Sequence, residues 1–234
     1  MWHRSLNQKH NPNEQAAMTD YASRRLIMVD TQVRPSDVTK FPVIDAMMSV
    51  PRERFVPPER REAAYVGENL PLARGRVLLE PRTLAKMCDV LDLGPDEAVL
   101  DLGCGLGYST AVLARMAGAV VGVEDLPGMA AEAEAMLAEI GADNATVVEG
   151  PLAEGAPRHG PYDVIVLQGG IEVLPSALES QLRPGGRVAA LFMAGALGTV
   201  RIGYRTPAGM SWRDIFNAAA PILPGFARKR EFQL

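Results

Sequence analysis

Apolar positions follow two different rhythms along the chain, and the change falls near residue 81. Before it the spacing is helical. One stretch runs over Tyr21–Val33 and stops near Arg34-Pro35; a second begins near Ser36 or Asp37, carries Val43, Ile44, Met47 and Met48 on one face, and ends at Val50-Pro51. Residues 1–20 show little periodicity and read as a disordered extension. After residue 81, helical stretches alternate with short apolar runs. The helices are expected over Pro81–Leu93, Ser109–Met116, Met129–Ile140 and 174–182. The runs are Ala98–Leu102, Val120–Val123, Thr146–Val148, Val164–Leu167 and Arg187–Met193, with final strands expected at Val200–Tyr204 and Ile222–Phe232. Strands that are apolar on both faces and alternate with helices predict an α/β fold, a doubly wound, mostly parallel sheet. The division expected is an extension over 1–20, a helical segment over 21–80 packed on the main domain, and the α/β domain over 81–234.

Charge and composition narrow the chemistry. The balance of 24 basic and 28 acidic residues, net −4, makes a poor electrostatic partner for nucleic acid. The longest uncharged apolar-rich stretch, Val188 to Val200, falls short of the roughly 18 residues of a membrane helix. Cys88 and Cys104 lie in apolar segments with no secretory signal, which points to reduced thiols and a cytoplasmic location. No metal-ligand spacing occurs. His3 and His10 fall in the polar first twenty residues, and His159 in a Pro/Arg/Gly loop, so no histidine-based catalytic cluster is expected.

The strongest motif is Asp101-Leu102-Gly103-Cys104-Gly105-Leu106-Gly107-Tyr108, which leaves a strand and opens a helix. Glycines there allow a tight turn and let a ligand approach the backbone. The next strand ends in Glu124, 17 residues past Gly107, where a carboxylate can accept both hydroxyls of a ribose. Tyr108 stands where a dinucleotide fingerprint has its third glycine, and the Lys-Ser/Thr of a phosphate loop is missing. An acid at the mouth, Asp101, suits a cationic ligand. S-adenosyl-L-methionine, with its sulfonium and ammonium, fits that combination. Asp101, Gly103, Cys104, Gly105, Gly107 and Glu124 are therefore the expected cofactor residues, joined by Gln168 at the end of the Val164–Leu167 run. Gly107-Tyr108-Ser109-Thr110-Ala111 comes close to a hydrolase elbow, but Ser109 lies inside the helix and lacks a nearby histidine.

With these residues in view, the chain resembles the protein-L-isoaspartate (D-aspartate) O-methyltransferases from about Met28 to Leu191. The resemblance is carried by Ala46-Met47, Val50–Pro57, Ala64-Tyr65, Leu70-Pro71-Leu72, the glycine loop, Tyr162–Val166 and Leu182–Arg187. It implies S-adenosylmethionine-dependent methyl esterification of isoaspartyl carboxylates in damaged proteins, with a protein or peptide as partner. Two departures stand out. The family's hydroxyl-rich "TISQP" is Val77-Leu78-Leu79-Glu80-Pro81 here, so Leu79 replaces the active-site serine and Glu80 brings a negative charge, leaving the catalytic residues unassigned. The family's Gly-Asp-Gly is Gly150-Pro151-Leu152. Methylation of another acceptor, or cofactor binding without catalysis, are the alternatives these departures leave open.

Overall fold

A computed structural model describes residues 12–228, with side chains from Asp20 onward. Helix α1 (Pro12–Met28) passes through a π-turn, Val29–Val33, and a 3-10 turn, Arg34–Ser36, before α2 (Phe41–Ser49). The extension expected over 1–20 lies outside the described residues up to residue 11. From Pro12 the chain is helical, because proline suits a first helical turn and the Glu-Gln-Ala-Ala run that follows favours helix. The second helix starts later than expected. Asp37 adopts a left-handed conformation (φ 64°) instead of capping it, and Pro42 opens the helix at Phe41.

The segment expected to be helical up to residue 80 closes with a hairpin, β1 (Leu70–Ala73) and β2 (Arg76–Leu78). Its signal was two short apolar runs around Arg74-Gly75, with Gly75 at φ 74°, as tight hairpin turns require. These two strands form a sheet of their own.

Then follow α3 (Pro81–Leu91), β3 (Ala98–Leu102), α4 (Tyr108–Ala114), β4 (Ala119–Glu124), α5 (Met129–Glu139), β5 (Ala145–Glu149), β6 (Tyr162–Ile171), α6 (Ser176–Gln181), β7 (Leu182–Ala194), β8 (Leu197–Thr206) and β9 (Gly209–Ala218). The large sheet has seven strands in the order β5-β4-β3-β6-β7-β8-β9, parallel through β7 and antiparallel for the last two. The order reverses at β3, so the crevice above its carboxyl end is the switch point where ligands bind in such sheets.

Among the described residues the last strand is β9, and none forms over 222–228, where one was expected to run to 232. The polar-rich Ser-Trp-Arg-Asp sequence of β9 hid an edge strand that stays half-exposed. Ile222 makes only an isolated bridge to Gly170, and residues 229–234 lie outside the described residues. The segment around it still has a role. Gly170 N–H donates to Pro221 O, Leu223 N–H to Gly170 O and Glu172 N–H to Phe226 O, which ties the C-terminal chain across the end of β6.

Two apolar layers cover the large sheet. One joins the N-terminal helices and α3 to α5, around Met47, Phe55, Met87, Tyr108 and Leu137. The other packs α6 and the C-terminal segment, around Tyr162, Leu167, Leu178, Leu223 and Phe226. An ion pair staples the bottom of the sheet: Arg187 on β7 donates to both oxygens of Glu97 (2.7 and 2.8 Å) and to the carbonyls of Leu91 and Asp92, which end α3. Arg187 holds the Glu97 carboxyl below the usual range. A depressed folded pKa stabilises above the unfolded value, near 4.5, and that contribution is lost as the pH falls through the folded value. Glu97→Gln is expected to cost about 1 kcal/mol at neutral pH, solvent screening keeping it small. In urea titrations across pH the gap from wild type should close on acidification; a gap independent of pH would refute the linkage.

Candidate cofactor site

The register of the sheet assembles the site. Parallel pairing sets Leu102 beside Val123, so the turn after β3 and Glu124 at the end of β4 come out side by side. Gly103, Gly105 and Gly107 all take positive φ (75°, 59° and 93°), which L side chains rarely adopt. The turn's backbone then points at the acid: Gly105 N–H donates to Glu124 Oε2 at 2.9 Å. Gly107 precedes α4, and a Cβ there would meet Ala133 Cβ at 3.3 Å, so the third glycine also lets α5 close in.

Asp101 does not line an open mouth. It is fully buried, and its oxygens accept Ser109 Oγ (2.6 Å), Thr110 Oγ1 (2.7 Å) and Gln168 Nε2 (2.6 Å). Its carboxylate fixes the start of α4 and the Gln168 side chain. Burial pushes its pKa up against the pull of those three donors. Ser109 is thereby spent on Asp101, and His159 sits exposed in its loop, so no hydrolase elbow forms. Cys104 is buried, and desolvation raises its thiol pKa well above normal, making it an inert part of the turn.

Glu124 is buried and crowded. Its Oε1 accepts Arg76 Nε at 2.9 Å, Asp125 N–H at 3.0 Å and Leu126 N–H at 3.2 Å. Arg76 also bonds Asp125 through Nη2. Burial raises the Glu124 pKa, and the Arg76 charge pulls it back. Arg76 was not among the expected cofactor residues. Glu80 pairs with a different arginine, Arg82, at 3.6 Å, and Arg74 is exposed.

The departures from the family pattern have structural sequels. Leu79 is buried, and its carbonyl accepts Arg52 Nη2 at 2.7 Å. Arg52 is itself fully buried, bonds Ala64 O at 2.7 Å and lies 4.8 Å over the Tyr108 ring. This internal arginine was missed, although its place in the apolar Val-Pro-Arg-Glu-Arg-Phe-Val run was a signal. Glu80 precedes the first residue of α3; its Oε1 accepts Thr83 Oγ1 at 2.6 Å, and its charge lies at the helix's positive end. Pro151 precedes a short 3-10 turn whose Leu152 packs on the glycine loop. A Cβ on Gly103 would stand 3.5 Å from Leu152 Cδ1 and 3.2 Å from Leu223 Cδ2.

A glycine turn at the switch point of a mostly parallel sheet, facing a strand-end carboxylate, defines the class of Rossmann-like S-adenosylmethionine-dependent methyltransferases. Solved structures agree on the fold. A protein-L-isoaspartate O-methyltransferase superposes with a TM-score of 0.74 at 22% identity, over 87% of this chain and 65% of that one. A Plasmodium falciparum protein, described as a putative protein-L-isoaspartate O-methyltransferase in complex with S-adenosyl-L-homocysteine, gives 0.72 at 17% identity, over 87% of this chain and 97% of that one. Sequence comparison is more specific. The family model for "Protein-L-isoaspartate(D-aspartate) O-methyltransferase (PCMT)" matches residues 26–192. Protein-L-isoaspartate O-methyltransferase 1 of Rhodopseudomonas palustris (strain HaA2) is 39% identical over 77% of this chain and 73% of its own length. The enzyme of Roseiflexus castenholzii is 36% identical over 72% and 77%. The chain belongs to the protein-L-isoaspartate(D-aspartate) O-methyltransferase family.

Proposed function

We propose that this protein esterifies the free carboxylate of isoaspartyl residues in proteins or peptides, using S-adenosyl-L-methionine. The observation that carries the reading is the Gly105 N–H···Glu124 contact, which places a bare backbone turn and a buried acid on one crevice of a chain from this family. The residues suit the cofactor's chemistry: Glu124 would accept the ribose hydroxyls, and the backbone of Gly103 to Gly107 would lie against the rest, with the buried Gln168 held in place by Asp101. When bound, the cofactor supplies an electrophilic methyl group on a sulfonium.

The protein's own task is mainly to orient. An isoaspartyl carboxylate, with a pKa near ~4, is already ionised at neutral pH, so no base need be supplied. An anion meeting a sulfonium yields neutral products, which a dry crevice favours, and the barrier falls mainly by alignment. Glu80, engaged with Thr83 and Arg82, brings less repulsion to an anionic acceptor than its bare charge implies.

No described helix is long and apolar enough to cross a membrane. Cys88 and Cys104 are buried and not bridged to each other, which fits a cytoplasmic location and damaged cytoplasmic proteins as partners. Transfer of labelled methyl from S-adenosylmethionine to an isoaspartyl peptide, beside its aspartyl twin, tests the reading. Base-labile label is expected on the isoaspartyl peptide alone. Cofactor binding with neither peptide labelled would refute the acceptor assignment.

A further inference from the structure

The hairpin β1–β2 lies directly on the glycine turn. A Cβ on Gly105 would stand only 2.6 Å from Leu72 Cδ1, so the β1 side chain fills the space above the turn. From β2, Arg76 reaches Glu124 (Nε to Oε1 2.9 Å, to Oε2 3.2 Å), bonds Asp125 and returns Nη1 to Gly75 O at 3.2 Å. A carboxylate offers about four acceptor positions. Those of Glu124 already serve Arg76 and the N–H groups of Gly105, Asp125 and Leu126. With Arg76 gone, the three N–H donors still occupy Oε1 and half of Oε2, so a ribose hydroxyl finds its free acceptor position on Oε2 only once Arg76 leaves.

The hairpin is held by side chains, with Leu70 and Leu78 buried in the core, and not by the large sheet. It pairs with neither edge of the seven-stranded sheet, and a two-stranded ribbon is marginal alone. Its Arg74-Gly75 tip is exposed. Asp125 keeps about a quarter of its side chain in solvent, so it offers Arg76 a second anchor at the rim. We propose that β1–β2 is a strap over the cofactor crevice, in which Arg76 competes with the adenosyl ribose for Glu124 and so sets the affinity for S-adenosylmethionine. This rests on the cofactor reading above.

Calorimetry with S-adenosylmethionine and S-adenosylhomocysteine on the full chain tests it. Arg76→Gln keeps a hydrogen-bond donor but removes the competing charge, and should bind at least tenfold tighter than wild type. Arg76→Lys retains the charge and should stay within about threefold of wild type. Leu72→Ala frees the space above Gly105 without touching the ion pair and should tighten binding about threefold; if Arg76→Gln does not fold, Arg76→Met decides the matter, tenfold tighter binding supporting the competition and unchanged binding overturning it. A folded Arg76→Gln that binds no tighter than wild type overturns the strap and leaves the cofactor reading standing. No binding heat with any of the five proteins overturns the cofactor reading, and the strap falls with it.

Discussion

Glu124→Ala is expected to lower stability by about 3–5 kcal/mol, the range seen when one partner of a buried pair is removed. Arg76 and Glu124 are 1% and 0% exposed. Without Glu124 the guanidinium keeps Asp125 and the Gly75 carbonyl but loses its only fully buried counter-charge. The Gly105 N–H also loses its acceptor. The cost is that of an uncompensated charge, not the net worth of the pair, so the double variant Glu124→Ala/Arg76→Met should recover a large part of it. Urea denaturation of the two single variants and the double closes this cycle. Additive losses, with no recovery in the double variant, would show that the pair is not coupled as drawn. Neither protein lacking Glu124 should bind S-adenosylmethionine, which separates the acid's role in binding from its role in folding.

The second large effect concerns Asp101. Asp101→Ala strands the donors of Ser109, Thr110 and Gln168 in a buried place, at roughly 1–3 kcal/mol for each donor that finds no new partner. Relief of a buried charge offsets part of this, and a net loss of about 3 kcal/mol is expected. The pH dependence identifies the cause. The folded pKa of Asp101 is raised from its ordinary 3.8 by burial. Between the two values the folded protein binds more protons than the unfolded chain, so the aspartate's contribution falls as the pH rises and levels off above the folded value. The wild-type advantage over Asp101→Asn should therefore be greatest in acid and shrink toward neutrality. Chemical denaturation of both proteins at a series of pH values measures this; an advantage that grows with pH would contradict the burial account.

Much of the domain from residue 81 was legible because each element carried a strong local signal. The β3, β4 and β6 runs are largely apolar, and the three glycines of the Asp101–Tyr108 cluster suit the positive φ values of a tight turn. Glu124 was found by counting from the turn, since parallel strands in register bring neighbouring ends together. The losses have physical causes. Arg76 is an ordinary arginine until β1–β2 folds over Glu124, a contact 48 residues away that no local pattern encodes. Asp101 was read as facing outward at the mouth of the crevice, but whether an acid meets ligand or hydroxyl donors depends on α4, whose first turn brings Ser109 and Thr110 beneath it. Edge strand β9 escaped because half-exposed strands tolerate polar residues on both faces.

The tie between the C-terminal segment and β6 has a consequence for how the crevice comes into being. Leu223, which walls Gly103, is 120 positions downstream of it, and it also fills the space beside Gly169 at the end of β6. During synthesis the glycine bend and its neighbouring acid emerge long before that wall exists. Until residue 223 has been added and docks against β6, that flank of Gly103 has no wall.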